Sequence, residues 1–533
     1  MNKELLKLSK ICIFLLSSLV SEAQSPTIGL QFNDPNAFDG YTLFTPSSNN
    51  KVYLIDNCGQ KINEWTFTEL PALTCYLLEN GNLLRAGKES IEIRDWDNNV
   101  VWSFLLSNLG LNQHHDIEPL PNGNVLCIIT DRYTPTEMIA LGRDPSTVNA
   151  QFKLDKIVEL QPVGTNGATM VWEWKFIDHF IQDFDNTKPN FGVIENHPEL
   201  IDINYDNGYS DDWTHVNAID YNANLDQIML SVRHLNEIII IDHSTTTLEA
   251  IGHTGGNSNR GGDLLWRWGN PQVYGQGTAS DQKLFLQHDP KWVENGYLDE
   301  GKITVFNNGG DGTDSFSSIH IIAPEIINGA YAMENNKFKP LDFEWSWNGT
   351  ILGDVMKEDI KSGTHSLPNG NLIVCETFRA RISEITKSGT LLWSYKNPSS
   401  DIIYDQFQVP PGRDLFRGEK YPTDYPGFVG KDLTPQGLIE NENSLSDVCI
   451  ANLGIEDLQE QALMVINPIN NNTIRFNKVI NTNKLVIMDI NGKIVCQLDD
   501  FTGNEIHVPL PSALYFLRIY NDNGTLTRRL IVK

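Results

Sequence analysis

Four histidines lie at similar places in the chain, each a short distance before a predicted strand or turn. His115 in "HHDIEPLPNGN" and His288 in "QHDPKWVENG" stand equally far before the glycine of an Asn-Gly turn. His365 precedes "SLPNGN", and His215 precedes "VNAIDYN". Imidazole is the side chain best suited to act as a nucleophile or as an acid–base group near neutral pH. If the fold brings these segments together, the four rings form one reaction site.

The stretch from residue 210 to 237 adds an arginine to these histidines. If its turn "YNANLDQ" centres on Asn224, His215 stands opposite Arg233 on the neighbouring strand, and Asn217 shares their face. A slip of one residue would break this pairing, and His234 is expected to point away. An arginine fork matches a tetrahedral oxyanion. The set therefore predicts transfer of a sulfuryl or phosphoryl group, with a histidine-bound metal as the open alternative.

The elements that must position these residues are predicted to be short antiparallel strands. A phrase recurs as "LENGNLL" from Leu78, "LPNGNVL" from Leu120 and "LPNGNLI" from Leu367, with the looser "VENGYLDEGKITVF" from Val293. Asn-Gly supplies the positive φ angles that a hairpin turn requires. The first two copies are about 42 residues apart, which is typical of one blade of a β-propeller.

Strands that carry tryptophan form a second repeat. Long amphipathic helices are hard to find, so the sequence predicts an all-β protein, a six-bladed β-propeller of four-stranded blades. Five or seven blades stay open, because insertions around 130–210 and 245–285 blur the count. The tryptophans are expected to pack between blades. They are Trp65, Trp102, Trp172, Trp174, Trp266, Trp268, Trp345, Trp347 and Trp393.

The two ends of the chain differ in character from this middle part. Residues 1–23 have lysines, a short apolar run and "SEA", which predict a secretory signal peptide cleaved after Ala23. No later stretch predicts a membrane span. We expect the propeller at 24–435, an acidic linker at 436–461 and a small β-sandwich at 462–533.

Composition narrows the possible partners. The formal charge is −28, with 68 acidic and 40 basic residues, which argues against nucleic acid or an anionic membrane. Six cysteines remain after the predicted cleavage, and their disulfide pairing is open. No CxxC motif is present, so no structural zinc site is predicted. The loop "FNNGGDGTD" at 306–314 has the composition of a calcium loop without its ligand spacing, and we interpret it as a turn.

Three of these segments resemble the bacterial aryl-sulfate sulfotransferases: "DDWTHVNAIDYNANLDQIMLSVRHLNEIIIID", "HHDIEPLPNGNVL" and "LQHDPKWVENG". The resemblance extends over roughly residues 40 to 435. It implies a six-bladed propeller that moves a sulfuryl group from an aryl sulfate donor to a phenolic acceptor. It also implies a ping-pong route through a sulfated histidine, without a nucleotide sulfate donor or any other cofactor.

The same resemblance assigns roles to the residues that match its motifs. His288 is implied to be the nucleophile that becomes sulfated. His215, Asn217 and Arg233 are implied to hold and neutralise the sulfuryl oxygens.

Further residues complete the implied site. His114 or His115 supplies another imidazole, with His115 preferred because it lines up with His288, and Asp289 could orient an imidazole. Thr364 and His365 are expected to complete the substrate-binding part.

The C-terminal segments "VINPINNNTIRF" and "LVIMDINGKIV" resemble the sorting domains of the type IX secretion system. This implies passage through the outer membrane, with release or attachment at the cell surface. Enterobacterial relatives carry an N-terminal β-sandwich that helps them dimerise, and the oligomeric state here is left open. Two alternatives also remain: a non-catalytic extracellular propeller that binds glycans or proteins, and a metal-dependent hydrolase or lyase.

Overall fold

A computed structural model describes most of the chain, and it divides into two compact units, 1–443 and 444–533. This division falls inside the predicted linker, most of which lies outside the described residues, as does the predicted signal peptide. The domain boundaries and the cleavage site stay predictions. The described residues are 26–148, 151–209, 211–409, 414–441, 449, 472–490, 493–521 and 524–532.

The described part of the first unit contains six large antiparallel sheets, here named A to F in chain order. Sheet A consists of Leu415–Pro422, Gly40–Pro46, Lys51–Ile55 and Lys61–Thr66. Sheet B consists of Pro71–Leu77, Leu83–Gly87, Ser90–Arg94 and Val100–Leu105. Sheet C consists of Gln113–Pro119, Val125–Tyr133, Phe152–Val163 and Gly167–Lys175.

The remaining three sheets follow the same pattern, in which the strands of a sheet are neighbours in the order given. Sheet D consists of Val216–Asn222, Gln227–Val232, Glu237–Asp242 and Trp266–Trp268. Sheet E consists of His288–Trp292, Ile303–Asn307, Ser318–Ile322 and Trp345–Trp347. Sheet F consists of Gly363–Ser366, Leu372–Glu376, Arg381–Ile385, Leu391–Lys396 and Gly29–Asn33.

The first strand of each sheet contacts the first strand of the next, and the last contact returns from sheet F to sheet A. The six sheets therefore form a closed ring around their first strands. Two sheets combine distant parts of the chain. The first strand of sheet A is Leu415–Pro422, and the outer edge of sheet F is Gly29–Asn33. The predicted histidines lie on or beside the first strands, at the centre of this ring.

The predicted Asn-Gly turns are confirmed. Gly81, Gly123 and Gly370 have φ angles of 80°, 86° and 82°, and each joins the first two strands of its sheet. Gly296 in the looser copy has a φ of 81°. An L side chain with a Cβ atom adopts such angles only at a cost, which is why glycine recurs here.

The tryptophans of the predicted repeat lie on the fourth strands of the six sheets, and most of their indole N–H groups reach the next part of the ring. Trp65 of sheet A donates to the carbonyl of Asp95 in sheet B at 2.8 Å. Trp393 of sheet F donates to the carbonyl of Asn57 in sheet A at 2.7 Å. The predicted packing of tryptophans between sheets is confirmed. The other indole donors make equivalent contacts from Trp102, Trp172, Trp174, Trp266, Trp268 and Trp345.

Helical elements are few and short, so the protein is all-β, with 47% of residues in strands and 8% in helices. No helix in the described ranges is long and apolar enough to cross a membrane. Within the described ranges, the α-helices with both ends described are Pro135–Ala140 and Thr247–Ala250. The 3-10 helices of those ranges are Leu106–Leu109, Pro145–Thr147, Phe176–His179, Ile194–Asn196, Arg233–Leu235, Pro271–Tyr274, Ala279–Asp281 and Pro426–Phe428.

The insertions between sheets carry short strand pairs. Phe180–Ile181 pairs in parallel with Ile201–Asp202, and the other pairs are antiparallel. Those pairs are Ile326–Ile327 with Ala330–Tyr331, Met333–Glu334 with Lys337–Phe338, and Thr350–Ile351 with Asp354–Val355.

The described strands of the second unit form one four-stranded antiparallel sheet. Its core includes Leu485, Leu517 and Leu530, each fully buried. In spatial order its strands are Ile494–His507, Thr473–Asp489, Leu514–Asn521 and Gly524–Ile531.

Candidate active site

The hairpin that carries His215 and Arg233 has the predicted pairing at its open end, where these two residues lie. Val216 pairs with Val232, and the Arg233 N–H donates to the His215 carbonyl at 3.2 Å. A β-bulge at Asn217 shifts the rest of the hairpin by one residue, so the register predicted from the turn fails there. Arg233 itself begins the 3-10 helix Arg233–Leu235 rather than continuing the strand.

His288 is the first residue of its strand, and it is almost fully buried, with 2% of its surface exposed. Its Nδ1 lies 2.7 Å from Oδ1 of Asn308. The Asn308 amide nitrogen donates to the carbonyls of Glu358 and Lys361, which fixes its oxygen toward the ring. Since Oδ1 only accepts, Nδ1 of His288 carries the proton and Nε2 carries the lone pair.

The surroundings of His288 keep it neutral. Burial holds its pKa well below the usual value, and the positive charge of Arg233 adds to this effect, followed by His215 and Arg417. Nε2 accepts a hydrogen bond from the backbone N–H of Lys361 at 3.1 Å. The result is a neutral ring with an unprotonated Nε2, close enough to Arg233 to feel its charge.

His114 and His115 form a relay with a buried carboxylate. His114 Nε2 lies 2.8 Å from Asp155 Oδ1, and the Nδ1 atoms of the two histidines lie 2.7 Å apart. Burial opposes ionisation of Asp155, but its interaction with His114 and the hydrogen bonds it accepts from Val216 and Thr214 outweigh burial and lower its pKa. Burial lowers the pKa of His115 well below its usual value, and the neighbouring histidines add to this.

His115 and His215 come together as predicted, with ring centroids 4.9 Å apart. His215 Nδ1 lies 2.6 Å from Asp212 Oδ2. Burial opposes ionisation of Asp212, but its contacts with His215 and Lys153 outweigh it, so its pKa is lowered.

The backbone is left-handed at both rings, with φ of 59° at His115 and 49° at His215. Such angles at residues other than glycine are strained and cluster at functional sites.

His234 does not point away from this group, so that expectation is wrong. Its ring centroid lies 4.5 Å from that of His215, and its Nε2 accepts a hydrogen bond from Arg233 Nη1 at 2.8 Å. Arg233 begins a 3-10 helix, so the next side chain turns back instead of alternating as on a strand. Tyr209 stacks on the other face of His234, with centroids 3.5 Å apart.

Asn217 lies beneath the rings and is fully buried. Its amide nitrogen donates to the carbonyl of Gln287 at 2.8 Å, directly before His288. Its contact in the structure is therefore with the backbone that leads into the His288 strand.

A buried arginine joins the strands below the histidines. Arg417 Nη1 donates to Asp116 at 2.5 Å, and its Nη2 donates to the carbonyl of Asn217 at 3.3 Å. Its Nε forms an ion pair with Asp289 at 2.8 Å. Asp116 and Asp289 directly follow His115 and His288 in sequence. Asp289 therefore pairs with this arginine, not with an imidazole as the sequence suggested.

Thr364 and His365 do not join the group around His288. The hydroxyl of Thr364 donates to the carbonyl of Ile373 on the neighbouring strand at 2.8 Å. His365 lines a cavity of about 600 Å³ with Lys291 and Glu419, and none of the three rings His115, His215 and His288 lines that cavity. Gly363 packs directly against Asp289, so His365 lies two residues further along the ring axis. His365 stands five residues before the glycine of its Asn-Gly turn, whereas His115 and His288 stand eight residues before theirs, so its ring lies nearer the turn.

Sequence reasoning missed five residues that hold the site together. Asn308 lies in the loop that the sequence interprets only as a turn, and Arg417 lies on a strand more than a hundred residues from the nearest predicted site residue that it supports. Of these residues, only Asp212 had a signal in the sequence, as part of the acidic pair "DD" shortly before His215. The five are Asp155, Asp212, Asn308, Lys361 and Arg417.

A buried neutral imidazole beside an arginine, within a closed ring of sheets, suits an enzyme that acts on an oxyanion. The chain belongs to the arylsulfotransferase (ASST) family, whose model matches residues 31–320. The match covers more than half of the chain and includes every ring of the group around His288. Thr364 and His365 lie beyond it.

Solved structures with similar folds have low sequence identity. A protein of unknown function from Bacteroides caccae is 13% identical with a TM-score of 0.39, covering 71% of this chain and 98% of that one. Virginiamycin B lyase from Staphylococcus aureus is 10% identical with a TM-score of 0.33, covering 70% and 86%. The β-propeller domain of Cps50 (Swd1) from Myceliophteria thermophila is 10% identical with a TM-score of 0.34, covering 71% and 87%. A search of curated proteins finds no match.

The C-terminal unit also matches a family model. Residues 467–533 match the secretion system C-terminal sorting domain, as the sequence predicts. This domain indicates export to the cell surface or secretion.

Proposed function

We propose that the protein transfers a sulfuryl group from an aryl sulfate ester to a phenol, in two steps through a sulfated His288. The observation that carries this proposal is the fixed tautomer of His288, whose Nε2 is unprotonated next to Arg233. Membership of the arylsulfotransferase family supports the reaction class. No nucleotide sulfate donor enters this scheme.

In the first step, Nε2 of His288 attacks the sulfur atom of the donor. The Nε2–S bond forms, the bond from sulfur to the aryl oxygen breaks, and the phenolate leaves with the electron pair. The ring then carries positive charge, which strengthens the hydrogen bond from Nδ1–H to Asn308. Arg233 and His215, with its partner Asp212, are suited to neutralise the sulfuryl oxygens.

In the second step, a phenolic acceptor attacks the same sulfur atom and the Nε2–S bond breaks. The acceptor must lose its proton, and His115 is the proposed base. Its low pKa keeps it neutral at rest, so it can take this proton. When Nε2–H of His114 donates to Asp155, Nδ1 of His114 accepts from Nδ1–H of His115, and Nε2 of His115 is left to accept. The captured proton can pass to the phenolate that leaves in the next cycle.

The Lys361 amide must release Nε2 before the first step. Its hydrogen bond to Nε2 occupies the lone pair that attacks sulfur. Lys361 and Ser362 have positive φ angles of 56° and 72°, so this loop is held in a strained backbone form. Once displaced, the same N–H is close enough to serve as a donor to a sulfuryl oxygen.

We also propose that the six sheets are the blades of a six-bladed β-propeller, because their first strands and outer tryptophans connect them in a closed ring. The predicted signal peptide at 1–23, the domain boundaries and a sandwich form of the C-terminal unit belong to the same proposal. A sorting domain supports secretion by the type IX machinery.

The decisive experiment incubates the protein with nitrophenyl sulfate alone, without an acceptor, and measures its intact mass. We expect a gain of one SO₃ group, and peptide mapping is expected to place it on His288. Adding phenol is expected to remove the group and to make nitrophenol release continuous. Release that proceeds with water alone indicates a hydrolase instead, and no release indicates a binding protein.

The matched variants are His288→Asn and His243→Asn. His243 is a mostly buried histidine bonded to Glu159 and Asp226, outside the group around His288. We expect the first variant to lose the mass gain and the second to keep it. Sulfation that persists in His288→Asn would refute His288 as the nucleophile.

A further inference from the structure

A second group of histidines lies away from the proposed active site, between the 3-10 helix Phe176–His179 and the glycine-rich loop at 251–262. It consists of His179, His253 and Asp263. One ligand atom from each lies within 4.8 Å of the others. His179 Nδ1 is 3.0 Å and His253 Nδ1 is 2.7 Å from the same atom, Asp263 Oδ1. Two imidazoles and a carboxylate are a common ligand set for transition metals.

The second ring nitrogen of His179 decides which of its atoms carries a proton. Nε2 lies 2.9 Å from the carbonyl of Ala250, and a carbonyl only accepts, so Nε2 must carry the hydrogen. In the neutral ring, Nδ1 then presents a lone pair to a carboxylate oxygen. Two lone pairs at 3.0 Å repel each other unless a cation or an added proton lies between them. Metal-binding histidines typically donate their other N–H to a backbone carbonyl in this way.

The ring of His179 is held firmly in this orientation. It is fully buried and stacks on Trp174, with centroids 5.3 Å apart and planes 6° apart. A Cβ atom on Gly262 would come within 2.6 Å of its Nε2 and 2.0 Å of the Ala250 carbonyl, so only glycine permits this packing. Asp263 is 6% exposed, whereas the side chain of His253 is 61% exposed. The group thus has two buried, fixed ligands, His179 and Asp263, and one exposed ligand, His253.

We propose that His179 Nδ1, His253 Nδ1 and the Asp263 carboxylate bind one divalent transition-metal ion, with Zn²⁺ as the reference ion. The ion joins the insertion after sheet C to the loop before the last strand of sheet D, and water completes its coordination. This site is independent of sulfuryl transfer. The competing explanation is a buried imidazolium at His179 that pairs with Asp263 without a metal.

The test measures Zn²⁺ binding to the full chain after treatment with EDTA and dialysis, by equilibrium dialysis and metal analysis. We expect the native chain to bind one more Zn²⁺ per molecule than His253→Ala. Because His253 is exposed, this variant is expected to fold. Asp263→Asn is expected to show the same loss. Zn²⁺ is also expected to raise the melting temperature of the native chain but not of His253→Ala.

His197→Ala is the matched control, since His197 is another partly exposed histidine with a carboxylate partner, Glu199. It is expected to keep the native stoichiometry. The proposal is overturned if the native chain binds no Zn²⁺ that is lost in His253→Ala, and the imidazolium explanation then stands. Binding that is lost equally in His197→Ala overturns it too, because it reports unspecific surface binding.

Discussion

The amide of Asn308 offers the sharpest test of the proposed mechanism. Its Oδ1 accepts the proton of His288 Nδ1 at 2.7 Å, which fixes the tautomer that leaves Nε2 reactive. Asn308→Ala removes this acceptor without removing the nucleophile. The proton on Nδ1 still finds the Leu286 carbonyl at 3.2 Å, a longer and weaker partner. We therefore expect a slower reaction rather than none.

The size of the effect follows from the change of charge on the ring. A neutral hydrogen bond contributes about 1 kcal/mol, and one from a charged donor contributes roughly 1.5–3 kcal/mol. His288 is neutral at rest and gains positive charge as the Nε2–S bond forms. Loss of Asn308 therefore costs the transition state about 0.5–2 kcal/mol more than the resting state. That corresponds to a fall in kcat of roughly 2- to 30-fold.

The assay is nitrophenol release at saturating donor and acceptor, with kcat and KM determined separately. KM for the donor is expected to change little, because Asn308 faces the ring. Asn307→Ala is the matched control: Asn307 is equally buried and ties the same loop to the Lys283 and Gly310 carbonyls without contacting His288. If both variants lower kcat equally, or if Asn308→Ala keeps native kcat while folded, the tautomer argument fails.

Arg233→Lys is expected to lower kcat/KM roughly 10- to 150-fold, because at least one charge-assisted bond to the sulfuryl oxygens is lost. The exposed Arg132→Lys serves as its control, and a full-rate Arg233→Lys would remove Arg233 from the site. A separate expectation concerns His320, whose pKa burial lowers to about 3. The unfolded chain takes up a proton on this histidine below about pH 6.5, while the folded chain does not. The free energy of unfolding therefore decreases as the pH is lowered. Between pH 7 and pH 5, His320→Gln is expected to lose about 2 kcal/mol less unfolding free energy than the native chain. If urea titrations give the same loss of unfolding free energy between pH 7 and pH 5 for both proteins, the burial of a neutral His320 ring is contradicted.

Much of the fold was predictable because its signals are local. Asn-Gly turns need only their own backbone angles, and Gly81, Gly123 and Gly370 adopt them. The tryptophan strands were recognisable for the same reason, as short apolar segments after a turn. What the sequence could not show is that Leu415–Pro422 completes sheet A, since that pairing joins residues almost four hundred positions apart.

The site was predictable for the histidines at equivalent places on or beside the first strands, and not where the spacing to the turn, a loop or a 3-10 helix sets the position of a side chain. His115, His215 and His288 come together because their strands are neighbours in the ring. The expectation for His365 failed because this residue stands only five residues before its turn glycine, three fewer than His115 and His288. That for His234 failed because a 3-10 turn replaces strand alternation. A sequence motif cannot identify a partner such as Asn308, because its role depends on the direction in which one side-chain amide points.

The closure of sheet A by Leu415–Pro422 sets an order of events for a chain made from its N-terminus. Until residue 422 is available, sheet A lacks its innermost strand, and Arg417 cannot join Asp116 to Asp289. The central layer beneath the histidines is thus among the last parts of the first unit that can form. A precursor halted before this point would lack the complete site, whatever the state of its other five sheets. A cut after residue 441, by contrast, would detach the sorting domain and leave that closing strand in place.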